Sequence, residues 1–284
     1  MLKFGRRLDG WSVTSVCPRG TPRDLRPSRN MYVYIPHSPL RDIPQNRSPT
    51  MSTINQAFQS LKATRPIDDV WVRSDEYHNS FLIPRDEALE YARKNSTDHG
   101  LPEIAVSAAQ GKLLHLYAKT IGAKKVLEVG TLGGYSAIWL ARALPEGGEL
   151  TTLEIDEKHA KVAQENLDHA GLTSKVKIVL GPAIDTLKKI PTESQYDLAF
   201  IDADKESNLD YVLEAERLVR KGGIIIVDNV VRQGRVADPS NTEDATLGVR
   251  KLLEHLKNDK NVDATSIGTV GEKGWDGFIY AVRL

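Results

Sequence analysis

Between Val126 and Ser136 the chain reads Val-Leu-Glu-Val-Gly-Thr-Leu-Gly-Gly-Tyr-Ser, an apolar run that passes through a glycine turn into the start of a helix. Few folds admit that succession. Glycines at 130, 133 and 134 let the backbone take positive φ and pass close to a ligand, while the free amides of the following helix point into the same space. The spacing is G-x-x-G-G, whereas dinucleotide sites use G-x-G-x-x-G, and Glu128 stands at the approach to the turn. A carboxylate there suits a cationic or hydroxyl-rich ligand better than a pyrophosphate. A second acid, Glu154, falls twenty residues beyond Gly134 in the next apolar run, Leu150–Ile155, where it can accept hydrogen bonds from ribose hydroxyls. Together these residues point to S-adenosylmethionine as the ligand.

Regular patterning begins at about residue 52. Short helices are expected at 54–61 and 85–94, and a longer one at 104–119 with Val106, Leu113, Leu114 and Tyr117 on its buried face. Strand patterns then recur near 125–130, 149–155, 175–180, 196–202 and 223–228. Helices are expected near 135–144, 157–170, 183–189, 205–220 and 243–258. Such alternation predicts an α/β fold with a mostly parallel sheet covered by helices on both faces. Two closing runs, Ala264–Val270 and Gly277–Val282, add an antiparallel edge and bring the sheet to seven strands.

The 284 residues suffice for one substantial core, or one core with a tail. Formal charge balances at 38 basic against 38 acidic side chains, yet residues 1–50 hold nine Lys or Arg, three acids and seven of the fourteen prolines. This segment lacks apolar periodicity and is expected to be a disordered leader, with the working domain at 51–284. Three origins stay open for it: a mitochondrial presequence, a basic interaction tail, or upstream translation ahead of Met51. The remainder carries 29 basic and 35 acidic groups, so no nucleic-acid partner is expected. Cys17 is the single cysteine, which excludes disulfides and thiolate metal sites from 51–284 and makes a reducing, cytoplasmic setting the default. No apolar stretch approaches the ~20 residues of a membrane helix. The assembly state is open, a homodimer being one expectation.

Two further strand ends carry oxygen ligands. Tyr196–Lys205 finishes a strand with Asp202, Asp204 and Lys205, and Gly222–Asn229 finishes another with Asp228 and Asn229. If these strands are neighbours, their ends lie about 5 Å apart and Asp202, Asp228 and Asn229 can converge. Such a set suits a hard octahedral cation such as Mg²⁺ rather than zinc. The seven histidines show no ligand spacing and read as surface or packing residues. Blander readings exist for each residue alone. Asp202 also reads as an N-cap, Asp228-Asn229 as a turn, and Lys205 as a solvated lysine in a helix's first turn. Trp275 reads either as an aromatic wall for a planar acceptor or as edge packing.

In this order the motifs Glu128-x-Gly130, Gly133-Gly-Tyr-Ser136, Gly181-Pro-Ala183, Asp202-Ala-Asp-Lys205 and Asp228-Asn229 are highly specific. Residues 60–284 resemble the cation-dependent class I O-methyltransferases, the family of catechol and caffeoyl-CoA O-methyltransferases. The resemblance implies a Rossmann-like methyltransferase fold in which Val106, Glu128, Gly130, Ser136, Glu154, Ala183 and Asp204 line the S-adenosylmethionine site. It places the divalent cation, Mg²⁺ first, on Asp202, Asp228 and Asn229. Asp202 and Lys205 become the catalytic candidates, Lys205 at the position family members propose as general base. The implied reaction is methyl transfer to a hydroxyl of a small phenolic acceptor, catechol-like or phenylpropanoid. Glu154 matches the animal catechol enzymes, whereas plant caffeoyl-CoA enzymes carry Asp there. The segments Val230–Ser240 and Val70–Tyr77 match neither branch and leave the acceptor open. Two rival functions are an NAD-dependent oxidoreductase, disfavoured by the glycine spacing, and a non-catalytic S-adenosylmethionine-binding protein, disfavoured by the intact Asp202, Asp228 and Asn229.

Overall fold

Short apolar runs become strands when both of their faces can be covered, and five of them here lie side by side. The structure is a computed structural model that describes residues 67–284, with side chains from Val70 onward. The leader expected at 1–50 and the helix expected at 54–61 lie outside the described residues. Strands β1 (Lys125–Val129), β2 (Glu149–Glu154), β3 (Val176–Leu180), β4 (Tyr196–Ile201) and β5 (Val219–Val227) pair in parallel. The final hairpin, β6 (Val262–Gly271) and β7 (Gly274–Arg283), completes a seven-stranded sheet of order β3-β2-β1-β4-β5-β7-β6. β7 runs antiparallel to β5, with Val227 opposite Ile279, and leaves β6 outermost.

Side-chain alternation divides the central strands between two cores. Val126, Leu198, Phe200, Ile224 and Ile226 face one side, where Leu89, Leu114, Ile138 and Leu167 cover them. Those four come from helices α2 (Glu87–Asp98), α3 (Ala108–Thr120), α4 (Tyr135–Ala143) and α5 (Glu157–His169). Leu127, Ala199, Ile201, Ile225 and Val227 face the other side against Leu187, Leu218 and Leu252. These belong to α6 (Ala183–Lys189), α7 (Asn208–Leu218) and α8 (Asp244–Leu256). Each fully buried side chain of this size contributes about 1.5–3 kcal/mol, so the two layers hold the strand ends in fixed register.

Element boundaries correct several expectations. The helix expected at 104–119 starts only at Ala108, because the Ser107 hydroxyl caps it by accepting the Gln110 amide at 3.1 Å. Val106 therefore sits in the preceding loop. The helix expected at 205–220 begins at Asn208, which leaves Lys205 in the loop after β4. A helix not expected from the sequence, α1 (Ile67–Leu82), includes the whole of the divergent segment 70–77. Its Val70, Tyr77 and Phe81 are exposed, so its apolar residues do not mark a buried stripe. Among the described residues no helix is long and apolar enough to cross a membrane.

Chain order reverses between β1 and β4: the chain steps outward from β1 to β2 and β3, then returns to the other side of β1. Diverging loops open a crevice at such a reversal, beyond the C-terminal strand ends.

Candidate active site

A cavity of about 1170 Å³ occupies that crevice. Its walls include the turn after β1, the end of β2, the start of α6 and the loops after β4 and β5. Among the described residues, the non-glycine positions with positive φ are Leu132, Asn229, Arg232 and Gln233. The first three line the cavity. Such backbone costs about 1–3 kcal/mol per residue and persists only where the surroundings impose it.

At one end the glycine turn is bolted to β2. Glu154 Oε2 accepts the amides of Thr131 at 3.2 Å and Leu132 at 2.7 Å, while Oε1 accepts those of Ile155 and Asp156, each at 3.0 Å. Gly130 has φ +98°, and a Cβ there would stand 2.2 Å from the Asp202 carbonyl oxygen, so only glycine lets the two loops touch. Val106, Gly130, Ser136, Glu154, Ala183 and Asp204 all line the cavity. Burial pushes the Asp204 carboxyl up, but hydrogen bonds from the Ser207 and Tyr211 hydroxyls and nearby backbone outweigh it and hold the group below the usual carboxylate range. The Tyr211 hydroxyl donates to Asp204 Oδ1 at 2.6 Å.

Glu128 is placed differently from its sequence expectation. It is fully buried beneath the turn rather than at the mouth, and the cavity walls do not include it. It pairs across strands with Thr152, whose hydroxyl donates to Oε2 at 2.6 Å. Burial raises this carboxyl to about 7, with the Ser136 and Thr152 hydroxyls opposing the rise.

At the other end, β4 and β5 place their terminal carboxylates together. The Asp202 amide donates to the Val129 carbonyl at 2.8 Å and the Asp228 amide to the Ile201 carbonyl at 2.9 Å, which extends the ladder through both residues. Lys205 Nζ donates to Asp202 Oδ1 at 2.8 Å. At 8% exposure it is neither solvated nor helical, contrary to the blander reading. Nor does Asp202 cap α7, whose N-cap position is Ser207. Asp228 is raised to about 7 by burial and then by the charge of Asp202, with Lys205 opposing. Its Oδ2 accepts from Gln110 Nε2 at 2.7 Å and its Oδ1 from the Asn229 amide at 2.8 Å. Asp202, Asp204, Lys205, Asp228 and Asn229 all open onto the cavity.

Several cavity residues escaped sequence reasoning. Gln110, Tyr211 and Arg232 carry no local motif. His159, read as a surface or packing residue, lines the cavity with Nδ1 3.6 Å from Glu154 Oε1. Of the two divergent segments, 230–240 contributes Arg232 to the wall, whereas 70–77 contributes none. Trp275 does not form a wall of this cavity. It lines a separate groove of about 600 Å³ with Val230, Val231 and Leu253, which favours edge packing. Away from both, Glu216, His255 and Asp259 bring ligand-type atoms within 4.8 Å of one another, an arrangement with His255 and Asp259 four residues apart on the chain.

A family model described as O-methyltransferase matches residues 79–282. A catechol O-methyltransferase of Mycobacterium tuberculosis is 48% identical over 208 residues, covering 73% of this chain and 94% of that protein. A second, from Niastella koreensis, is 47% identical over 230 residues, covering 80% and 98%. Among solved structures, the O-methyltransferase from Bacillus cereus in complex with SAH matches with a TM-score of 0.74 and 44% identity, over 76% of this chain and 99% of that one.

Proposed function

The chain belongs to the O-methyltransferase family, and on that premise we propose that it transfers a methyl group from S-adenosylmethionine to a hydroxyl oxygen of a small catechol-like or phenylpropanoid acceptor. The observation that carries this reading is the meeting, in one cavity, of a glycine turn clamped by Glu154 with the Asp202–Lys205 pair and Asp228. Glu154 and Asp204, on the cavity wall, would accept hydrogen bonds from the donor's ribose and adenine, and the Gly130 turn would let backbone approach it. Displacement at a methyl carbon needs the acceptor oxygen in line behind it, so the chain's main contribution is alignment and exclusion of water.

Asp202, Asp228 and Asn229 fit a divalent cation. Two carboxylates and an amide oxygen form a hard donor set. Asp228, driven toward neutrality by burial and by Asp202, is a site that added positive charge would relieve. A bound cation supplies Lewis-acid stabilisation of the acceptor oxyanion and a template for adjacent hydroxyls. Lys205 Nζ, held by Asp202, would take the acceptor's hydroxyl proton only after giving up its own, since the ammonium that donates to Asp202 has no lone pair. As the oxygen–methyl bond forms, the sulfur–methyl bond breaks and the sulfonium becomes a neutral thioether.

The test uses S-adenosylmethionine labelled in its methyl group, with catechol as acceptor and Mg²⁺ present. Label recovered in an aryl methyl ether supports the reading. Cofactor binding without any transfer to a panel of catechols, flavonoids and hydroxycinnamoyl thioesters supports a non-catalytic binding protein instead.

A further inference from the structure

The cavity walls include five cationic or potentially cationic side chains, and four are already engaged. Lys205 pairs with Asp202. His159 stands against Glu154. Arg93 lies 3.6 Å from Glu272 and over the Tyr135 ring, and Lys273 donates to the Glu103 carbonyl. Arg232 is different. Its side chain makes no hydrogen bond or ion pair with the described residues, and its Nε is buried without a partner.

The loop holds that arginine in place at a cost. Arg232, Gln233 and Gly234 have φ of 51°, 52° and 83°, three consecutive left-handed residues, two of them not glycine. Asp276 pins the turn by accepting the amides of Val231 at 3.1 Å and Arg232 at 2.7 Å, and Arg235 Nε donates to the Arg232 carbonyl at 3.0 Å. The neighbouring arginines serve the loop's backbone or its rim. Arg235 pairs with Glu243, and Arg250 donates to the Val236 and Asn241 carbonyls. A guanidinium on the cavity wall with no acid of the described residues paired to it can offer a planar anion two parallel N–H donors. It follows Asn229 by three residues on the loop after β5 and shares the cavity wall with Asp202 and Asp228, where the acceptor's hydroxyls would sit.

We propose that Arg232 is an anion subsite for the acceptor, and that the preferred substrates are catechols bearing a carboxylate on the ring or on a short side chain. This deepens the methyltransferase reading and rests on it. Arg232 forms no ion pair with Asp202 or Asp228; the ion pair to Asp202 comes from Lys205.

The test compares 3,4-dihydroxybenzoate with its uncharged methyl ester, using the full chain with S-adenosylmethionine and Mg²⁺. Wild type is expected to favour the acid by about tenfold or more in kcat/KM, the scale of a charge-assisted hydrogen bond. Arg232→Gln should bring that ratio to about one, and Arg232→Lys should restore part of it, since lysine keeps the charge but not the fork. No acid preference in wild type, or an undiminished one in Arg232→Gln, would overturn the subsite. So would an Arg232→Gln variant whose loss is in S-adenosylmethionine affinity, which would assign the arginine to the donor's own carboxylate. Calorimetric binding of acid and ester separates the two levels. Tighter binding of the acid, dependent on Arg232, with neither compound methylated would keep the subsite and remove the methyltransferase reading; equal binding would remove the subsite.

Discussion

Glu154 accepts four backbone amides, two from the glycine turn and two from its own strand end. Glu154→Ala strands those donors as well as removing the proposed ribose acceptor. Its S-adenosylmethionine affinity should fall by about 1.5–3 kcal/mol, and its unfolding temperature should fall too. Titration calorimetry and thermal unfolding check both, and an unchanged affinity would place the ribose elsewhere. Residues at this scale were legible where a polar group ends an apolar strand run, as Glu154, Asp202, Asp228 and Asn229 do. Glu128 was visible as an acid near the turn, but strand alternation aims it at Thr152 rather than at the cavity. Gln110, Tyr211, His159 and Arg232 were not legible as site residues, because the packing of their helices and loops brings them to the cavity and no local pattern records that approach.

Elements position the site as much as single side chains do. α8 lies so close to the loop after β4 that a Cβ on Gly248 would stand 2.1 Å from the Lys205 carbonyl oxygen and 2.7 Å from Glu206 Cα. Gly248→Ala should therefore shift the backbone carrying Lys205. We expect kcat to fall about 10–100-fold, the scale of an ångström-sized misplacement, while donor affinity stays near wild type because the glycine turn is untouched. Steady-state kinetics beside calorimetry read the two effects, and a wild-type kcat would show that this contact does not set the lysine's position. The parallel strands were readable because each is a short apolar run buried on both faces. The closing hairpin was readable as antiparallel, but not that β7 would insert beside β5. Helix α1 was missed because its exposed Val70, Tyr77 and Phe81 offer no buried periodicity, and the start of α3 moved because the Ser107 cap, not hydrophobicity, sets it.

For the molecule as a whole, pH dependence should report a buried acid far from the cavity. Glu216 is raised from 4.5 to about 7 by burial and by its neighbour Asp259. A carboxyl raised on folding favours the native state below its unfolded value and loses that advantage as pH rises through the folded one. Glu216→Gln should thus differ little from wild type at pH 5 and be more stable by about 1–2 kcal/mol at pH 8, after allowance for solvent screening. Thermal melts at the two pH values test this, and an equal difference at both would assign the effect to packing. The central claim, that a hard cation on Asp202, Asp228 and Asn229 serves methyl transfer while the donor rests on the glycine turn, is tested most directly by chelation combined with Asp228→Ala. EDTA should abolish turnover, Mg²⁺ or Mn²⁺ should restore it, and Asp228→Ala should bind S-adenosylmethionine yet resist rescue at ordinary Mg²⁺ concentrations. Full activity after exhaustive chelation, or an Asp228→Ala enzyme that turns over like wild type, would contradict the account.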